Sequence, residues 1–191
     1  MRIFRNTVLL AAGGMLAWAA PMLAQGAGSQ ASTQPSKSAA SANQRAADLL
    51  NTINKNEVDE AKMMADHTQN SSVKDFAQML QNDHQDAQNK LESAAQQSNI
   101  SLKTNKSEQQ QGQAETAALQ KLSGASADSS FARDEVRDHR RAIRQLQRLQ
   151  PQITDPQIKS VVQDTIPVLQ KHLDAAEKLQ SQLGKPGGGS H

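Results

Sequence analysis

The chain has 191 residues, no cysteine, 21 Lys and Arg against 19 Asp and Glu, and 2% aromatic residues. The lack of cysteine excludes a disulfide scaffold, a thiolate metal site and a cysteine nucleophile. Setting aside Arg2 and Arg5 leaves the charges balanced, so charge offers no argument for nucleic acid as a partner; beyond residue 24 only Phe76 and Phe131 are aromatic, which excludes stacking platforms for bases or sugars. The chain is rich in Ala, Gln, Leu and Lys in place of the aromatic and β-branched residues of a sandwich or barrel, and this composition predicts helices.

Residues 1–24 carry a short basic start at Arg2 and Arg5, an apolar run from Thr7 to Ala20, a break at Pro21 and the small residue Ala24. This is the pattern of a secretory signal peptide. Gly13, Gly14 and Pro21 interrupt it, whereas a membrane span needs roughly 20 apolar residues. The expected product is a periplasmic or secreted chain with no transmembrane span, cut after Ala24, with Gly26 or Ala27 as alternatives. Residues 25–42 are almost wholly Ser, Ala, Gln and Gly, with Lys37 the only charge, and read as a disordered linker. Residues 185–191, KPGGGSH, read as a flexible tail.

The stretch 43–184 has helical period. The first helix is expected over about 43–68, with Ala46, Leu50, Ile53, Ala61 and Met64 inward, and the second over about 72–97, with Val73, Phe76, Leu80, Ala87, Leu91 and Ala94. Asn70-Ser71-Ser72 supplies turn and cap chemistry between them. A shorter amphipathic piece, about 108–122, lies in the 99–126 connection and closes at Ser123-Gly124. The third long helix covers about 127–150 and the fourth about 156–183, the latter opened by Asp155-Pro156, a cap followed by proline at the first helical position. The predicted fold is all-α: a four-helix bundle of two hairpins joined by a long crossover with a short extra helix.

Each apolar stripe is interrupted once by an ionisable residue: Glu57, His84, His139 and His172. The three histidines share the pattern His-x-x-Ala-x-x-x-Leu, and two follow an aspartate, Asp83 and Asp138. Glu57 and His84 are equidistant from the Asn70–Ser71 turn, and His139 and His172 from Asp155–Pro156. At 1.5 Å per residue each lies about 20 Å from its turn, near mid-helix. Four polar groups from four helices in one layer is how bundle metal sites are built. The same groups can instead satisfy one another without metal, Glu57 accepting from imidazole and Asp83 and Asp138 reaching neighbouring rings. His67, at the end of the first helix, suits the helix dipole and is left out of the layer.

Several motifs carry a family resemblance: EVDEAKMMA (57–65), VKDFA (73–77) and Asp83-His84, then Asp128-x-x-Phe131, Asp138-His139 and Ile166-Pro167-x-Leu169-x-x-His172-Leu173. Over about 45–183 the chain resembles the bacterial exported family known as domain of unknown function 4142. The resemblance implies a ferritin-like four-helix bundle outside the cytoplasm, in the periplasm or at the outer membrane. Phe131 stands where the family pattern has Tyr, so any role of that hydroxyl is absent.

A di-iron carboxylate bundle needs Glu-x-x-His on two helices. Here Gln81, Val136 and Leu169 stand three residues before the histidines, so a ferroxidase centre is not expected. The candidate ligand set is Glu57, His84, His139 and His172, with Asp83, Glu135 and Asp138 as auxiliary acids. Its nitrogen-rich chemistry suits a single Zn, Cu, Ni or Fe ion. Arg137, Arg141, Arg144 and Arg148 form a ridge at helical spacing that fits either an anionic envelope component or partner protein, or local pairing with acids such as Asp134 and Asp138. No nucleophile elbow, Gly-rich phosphate loop or pair of acids flanking a cleft is present, and an enzyme is not expected. Two functions stay open: an exported metal-binding bundle, and a metal-free structural or interaction bundle of the envelope. Intact-mass measurement of the native protein should place the mature N-terminus between Gln25 and Gly28; retention of residues 1–24 would contradict the signal-peptide reading.

Overall fold

The computed structural model describes residues 37–184, so the signal peptide, most of the linker and the 185–191 tail lie outside the described residues. Five α-helices follow in chain order: α1 Lys37–His67, α2 Ser71–Gln97, α3 Lys106–Leu119, α4 Gly124–Leu149 and α5 Pro156–Leu183, with a 3-10 turn at Gln150–Gln152. The architecture is an all-α bundle. No described helix is long and apolar enough to cross a membrane.

Local chemistry sets the helix ends. Asn70 accepts from the Ser72 and Val73 amides and starts α2. Asp155 does the same for Gln157 and Ile158 at α5, with Pro156 in the first turn. Asn105 caps α3 through the Glu108 amide. After α2, Asn99 takes a left-handed conformation (φ 52°), and the Ile100 amide returns to the Ala95 carbonyl at 2.8 Å, closing the helix as a Schellman turn.

α1 pairs with α2 and α4 with α5; α2 packs on α5, which joins the hairpins. α1 and α4 touch only sparsely, and α3 packs chiefly on α1 and reaches α4 at its edge, roofing that seam. Ala46, Ala47, Ala61, Ala77, Ala132 and Ala176 are fully buried, and their small side chains let the helices approach closely. Leu50, Met64, Leu80, Leu91, Leu146, Ile158 and Leu169 fill the core. Phe76 and Phe131 meet edge to face with centroids 5.8 Å apart and tie α2 to α4. Asp128 of the family motif has a structural task, accepting from buried Thr68 Oγ1 at 2.6 Å and fastening α4 to the α1–α2 turn.

Helix α1 begins at Lys37, inside the stretch read as linker, so the ordered part starts about two turns earlier than the composition suggests. Tertiary contacts explain the difference. Ala42 is fully buried, and Asn43 accepts from the Thr154 and Asp155 amides at 3.0 and 3.3 Å, so this turn of α1 ties down the α4–α5 connection.

Gly112 sets how closely α3 lies on α1. A Cβ there would overlap the Asn56 side chain, whose Nδ2 donates to the Glu108 carbonyl at 3.0 Å. Gly112→Ala should therefore lift α3: overpacking costs about 1–3 kcal/mol, a Tm lower by roughly 3–10 °C. Amide exchange should quicken in Lys106–Leu119 before it quickens in α2 or α5.

Candidate metal centre

α2, α4 and α5 bring His84, His139 and His172 into one buried cluster, each at most 2% exposed. Ring centroids are 5.7 Å apart for His84–His139 and 5.2 Å for each of the other two pairs. His139 Nε2 lies 3.2 Å from His172 Nδ1. Each ring offers one nitrogen to a group in which all ligand atoms fall within 4.8 Å of one another.

The outer nitrogens are all partnered. His84 Nδ1–H donates to Asn54 Oδ1 at 3.1 Å. Asn54 is oriented by Gln88 at 3.5 Å, and Gln88 donates to Asn51 at 3.0 Å and Glu92 at 2.7 Å. His139 Nδ1 faces the Glu135 carbonyl at 3.0 Å and the Glu135 carboxyl at 3.1 Å. His172 Nε2–H donates to Asp83 Oδ2 at 2.9 Å. When the outer nitrogens hold the protons, His84 Nε2, His139 Nε2 and His172 Nδ1 turn their lone pairs into a common volume. Metal-ligating histidines have this outer pattern, which fixes the tautomer and the ring plane. His84 Nε2 is buried and has no hydrogen-bond partner. The 3.2 Å separation of His139 Nε2 and His172 Nδ1 is close to the roughly 3.3 Å expected of two nitrogens held tetrahedrally at about 2.0–2.1 Å from one ion.

Glu57 does not join the three rings. It groups with Glu135 and His139, each again offering an atom within 4.8 Å of the others. The single four-residue layer expected from hairpin arithmetic is thus two groups that share His139. Helix geometry gives the reason: Asn54 is the α1 residue facing His84, and Glu57, three residues on, is displaced about 4.5 Å along the axis and about 60° around it. This turns it toward the α3–α4 side. There it lines a cavity of about 20 Å³ with Glu60, Glu108, Glu115, Glu135, Asp138 and Arg141. Asp138 does not reach an imidazole as expected; it pairs with Arg137 at 3.0 Å and Arg141 at 2.8 Å. Asp83 does reach one, and Glu135, expected as auxiliary, lies in the centre. Half of the arginine ridge is committed internally, since Arg137 also pairs with Asp134 and Glu115 and Arg141 with Glu108, whereas Arg144 and Arg148 are exposed.

Burial governs the titration of both groups. It pushes Glu57 well above the usual carboxylate range, reinforced by the nearby Glu135 charge. Glu135 is likewise raised, by burial and by Glu60, although the Glu57 carboxyl within hydrogen-bonding reach opposes this. Glu60 rises to about 8, chiefly through burial, against a hydrogen bond from Thr116 Oγ1 at 3.1 Å. His84 is pushed well down by burial and by the two neighbouring rings, and His172 down by burial despite its bond to Asp83.

Asn51, Asn54, Gln88 and Glu60 were not singled out from the sequence. They carry a faint signal: Asn54 and Glu60 flank Glu57 at three-residue spacing, and Gln88 follows His84 by four, all on inward stripes.

The fold and site define an all-helical bundle with three buried histidines in contact and an acid group beside them, in which Glu135 is buried and Glu57 partly so. The chain belongs to the family described as Domain of unknown function (DUF4142), whose model matches residues 27–179. No curated protein and no solved structure matches it.

The shifts give the metal-free protein a defined pH response. Raised acids mean that the folded state holds protons the unfolded chain has lost, so stability falls as pH rises from the ordinary carboxyl value of 4.5 and, for Glu60, levels off above about 8. Lowered histidines mean the reverse, with stability lost as pH falls below their ordinary 6.5. Between about pH 7.5 and 8.5, where the unfolded histidines have lost nearly all their protons, only the acid effect operates among these groups. Thermal melts of chelator-treated protein should show Tm falling over that interval, and Glu60→Gln should flatten part of the fall.

Proposed function

We propose that this protein is an exported metal-binding bundle that holds one transition-metal ion, Zn, Cu, Ni or Fe, on His84 Nε2, His139 Nε2 and His172 Nδ1. The observation that carries this reading is the pairing of every outer ring nitrogen with Asn54, Glu135 or Asp83 while the inner nitrogens converge and His84 Nε2 is left without a partner. Three imidazoles fit borderline ions better than Mg or Ca. Rings at most 2% exposed favour retention of an ion over turnover of a substrate, so the role proposed is binding and not catalysis. The signal-like N-terminus supports a location outside the cytoplasm.

Two contacts favour a second reading. The His139–His172 approach of 3.2 Å and the His172–Asp83 bond also form a metal-free hydrogen-bonded chain suited to a structural or interaction bundle. The two readings differ in their response to metal. An ion bound only by the folded state at 100 times its Kd stabilises by about 2.7 kcal/mol, raising Tm by roughly 5–10 °C. Zn²⁺ or Cu²⁺ should give such a rise in untagged protein, and it should be lost on acidification, at a pH below the ordinary imidazole value of 6.5 because burial lowers His84 and His172, once protonated imidazole cannot ligate. His84→Ala and His172→Ala should each reduce the response, and His67→Ala, on an exposed ring at the end of α1, should keep it in full. A metal-free network predicts no rise in any variant.

A further inference from the structure

His139 has chemistry on both sides of its ring. Its Nε2 lies 3.2 Å from His172 Nδ1, and its Nδ1 lies 3.1 Å from Glu135 Oε2. Glu57 and Glu135 each place an oxygen within 4.8 Å of that second group's other ligand atoms. Glu135 is 2% exposed, and its Oε2 has no hydrogen-bond partner of proper geometry. The cavity beside it, about 20 Å³, is large enough for one water or one ion. Its walls include Glu57, Glu60, Glu108, Glu135 and Asp138, with Arg141 as the cation. Arg141 is already engaged at 2.8 Å by both Glu108 and Asp138. Among the described residues Glu57, Glu60 and Glu135 have no Lys or Arg partner. Buried carboxyls without a countercharge are retained at a cost unless something positive joins them.

We propose that this cavity is a second cation site, in which Glu57, Glu135 and His139 Nδ1 hold a divalent first-row ion and His139 bridges it to the ion on the three histidines. The donor set has two oxygens and one nitrogen, harder than the neighbouring centre, and suits Zn²⁺, Mn²⁺ or Fe²⁺. When the ion binds, the groups that ligate it give up any proton they hold at the ligating atom to solvent, and the ion's positive charge takes the place of the protons. The hydrogen bond from Nδ1 to the Glu135 carbonyl is given up. α3 closes the cavity from outside, with Gly112 against Asn56 and Glu108 on Arg141. The bridge rests on the three-histidine reading; the second site does not.

Metal content distinguishes the two. Untagged, chelator-stripped protein is dialysed to equilibrium against Zn²⁺ at neutral pH, and bound zinc is measured by mass spectrometry. Two ions per chain are expected for wild type, and one each for Glu57→Gln/Glu135→Gln and for His84→Ala. The glutamine pair keeps the shape of the buried acids and relieves their charge; circular dichroism and Tm check that it folds. Two ions on the glutamine pair, or one on wild type, overturns the two-ion centre. If wild type holds one ion, its loss in His84→Ala leaves the three-histidine reading standing, whereas its loss in the glutamine pair alone defeats that reading. A second measurement tests the bridge. At two Cu²⁺ per chain, a shared imidazole couples the two spins, and the low-temperature EPR signal integrates to less than the copper present. An integral equal to the copper content overturns the bridge.

Discussion

Three imidazoles buried where α2, α4 and α5 converge impose the governing constraint. Each ring brings two nitrogens into a dry interior, and a buried polar atom without a partner costs about 1–3 kcal/mol. The polar residues of the core answer to that constraint. Asn54 receives His84, Gln88 accepts from Asn54, and Asn51 in turn accepts from Gln88. Asp83 receives His172 at the bundle surface, and Glu135 receives His139 one turn earlier on the same helix. With the outer nitrogens settled, the inner ones have only each other, and His84 Nε2 has nothing. An apolar core would have been simpler to build, which is why the arrangement reads as a site.

The same helix that carries His139 links this cluster to the acids. Glu135 is one turn from His139 and turns its carboxyl toward Glu57 across the sparsely packed α1–α4 seam. α3 covers that seam, held by Gly112 on Asn56 and by Glu108 on Arg141. Closing the roof removes water from the carboxyls, and this desolvation drives Glu57, Glu60 and Glu135 toward their protonated forms. A metal-free fold that must store protons on buried acids and exclude them from buried histidines has opposed pH responses built into its centre.

The frame around the centre is stiff where the site needs it to be. Asn70 and Asp155 cap the helices that follow the two hairpin turns, and Ser98 Oγ donates to Asp155 at 2.7 Å, fastening the end of α2 to the start of α5. Fully buried alanines hold the helices close, so ring positions on different helices are fixed by backbone and not by long side chains. The His67 ring, by contrast, sits exposed at a helix end with its Nε2 2.8 Å from the Leu122 carbonyl, a contact that serves the α3–α4 connection.

Periodicity and cap chemistry made the helices legible to within a few residues, because an apolar stripe and an Asn or Asp before it are local properties. The three histidines were legible for the same reason: each breaks a stripe, and equal distance from a turn places paired residues at one depth. The start of α1 was not, because Ser and Ala around residues 37–42 look like linker until Ala42 and Asn43 find the α4–α5 connection. The division of the site was not legible either. Depth along a helix follows from counting residues only to within about a turn, since Asn54 and not Glu57 faces His84, and rotation about its axis relative to its neighbours depends on how the bundle packs. That rotation sent Glu57 to Glu135 instead of to the histidines, turned Asp138 to arginine, and made Asn54 the partner of His84. The sequence by itself determined which helices form and how high each polar residue stands on them. Only the tertiary structure decided which of those residues meet, since side chains from different helices share a volume only once packing has set every helix's rotation and spacing.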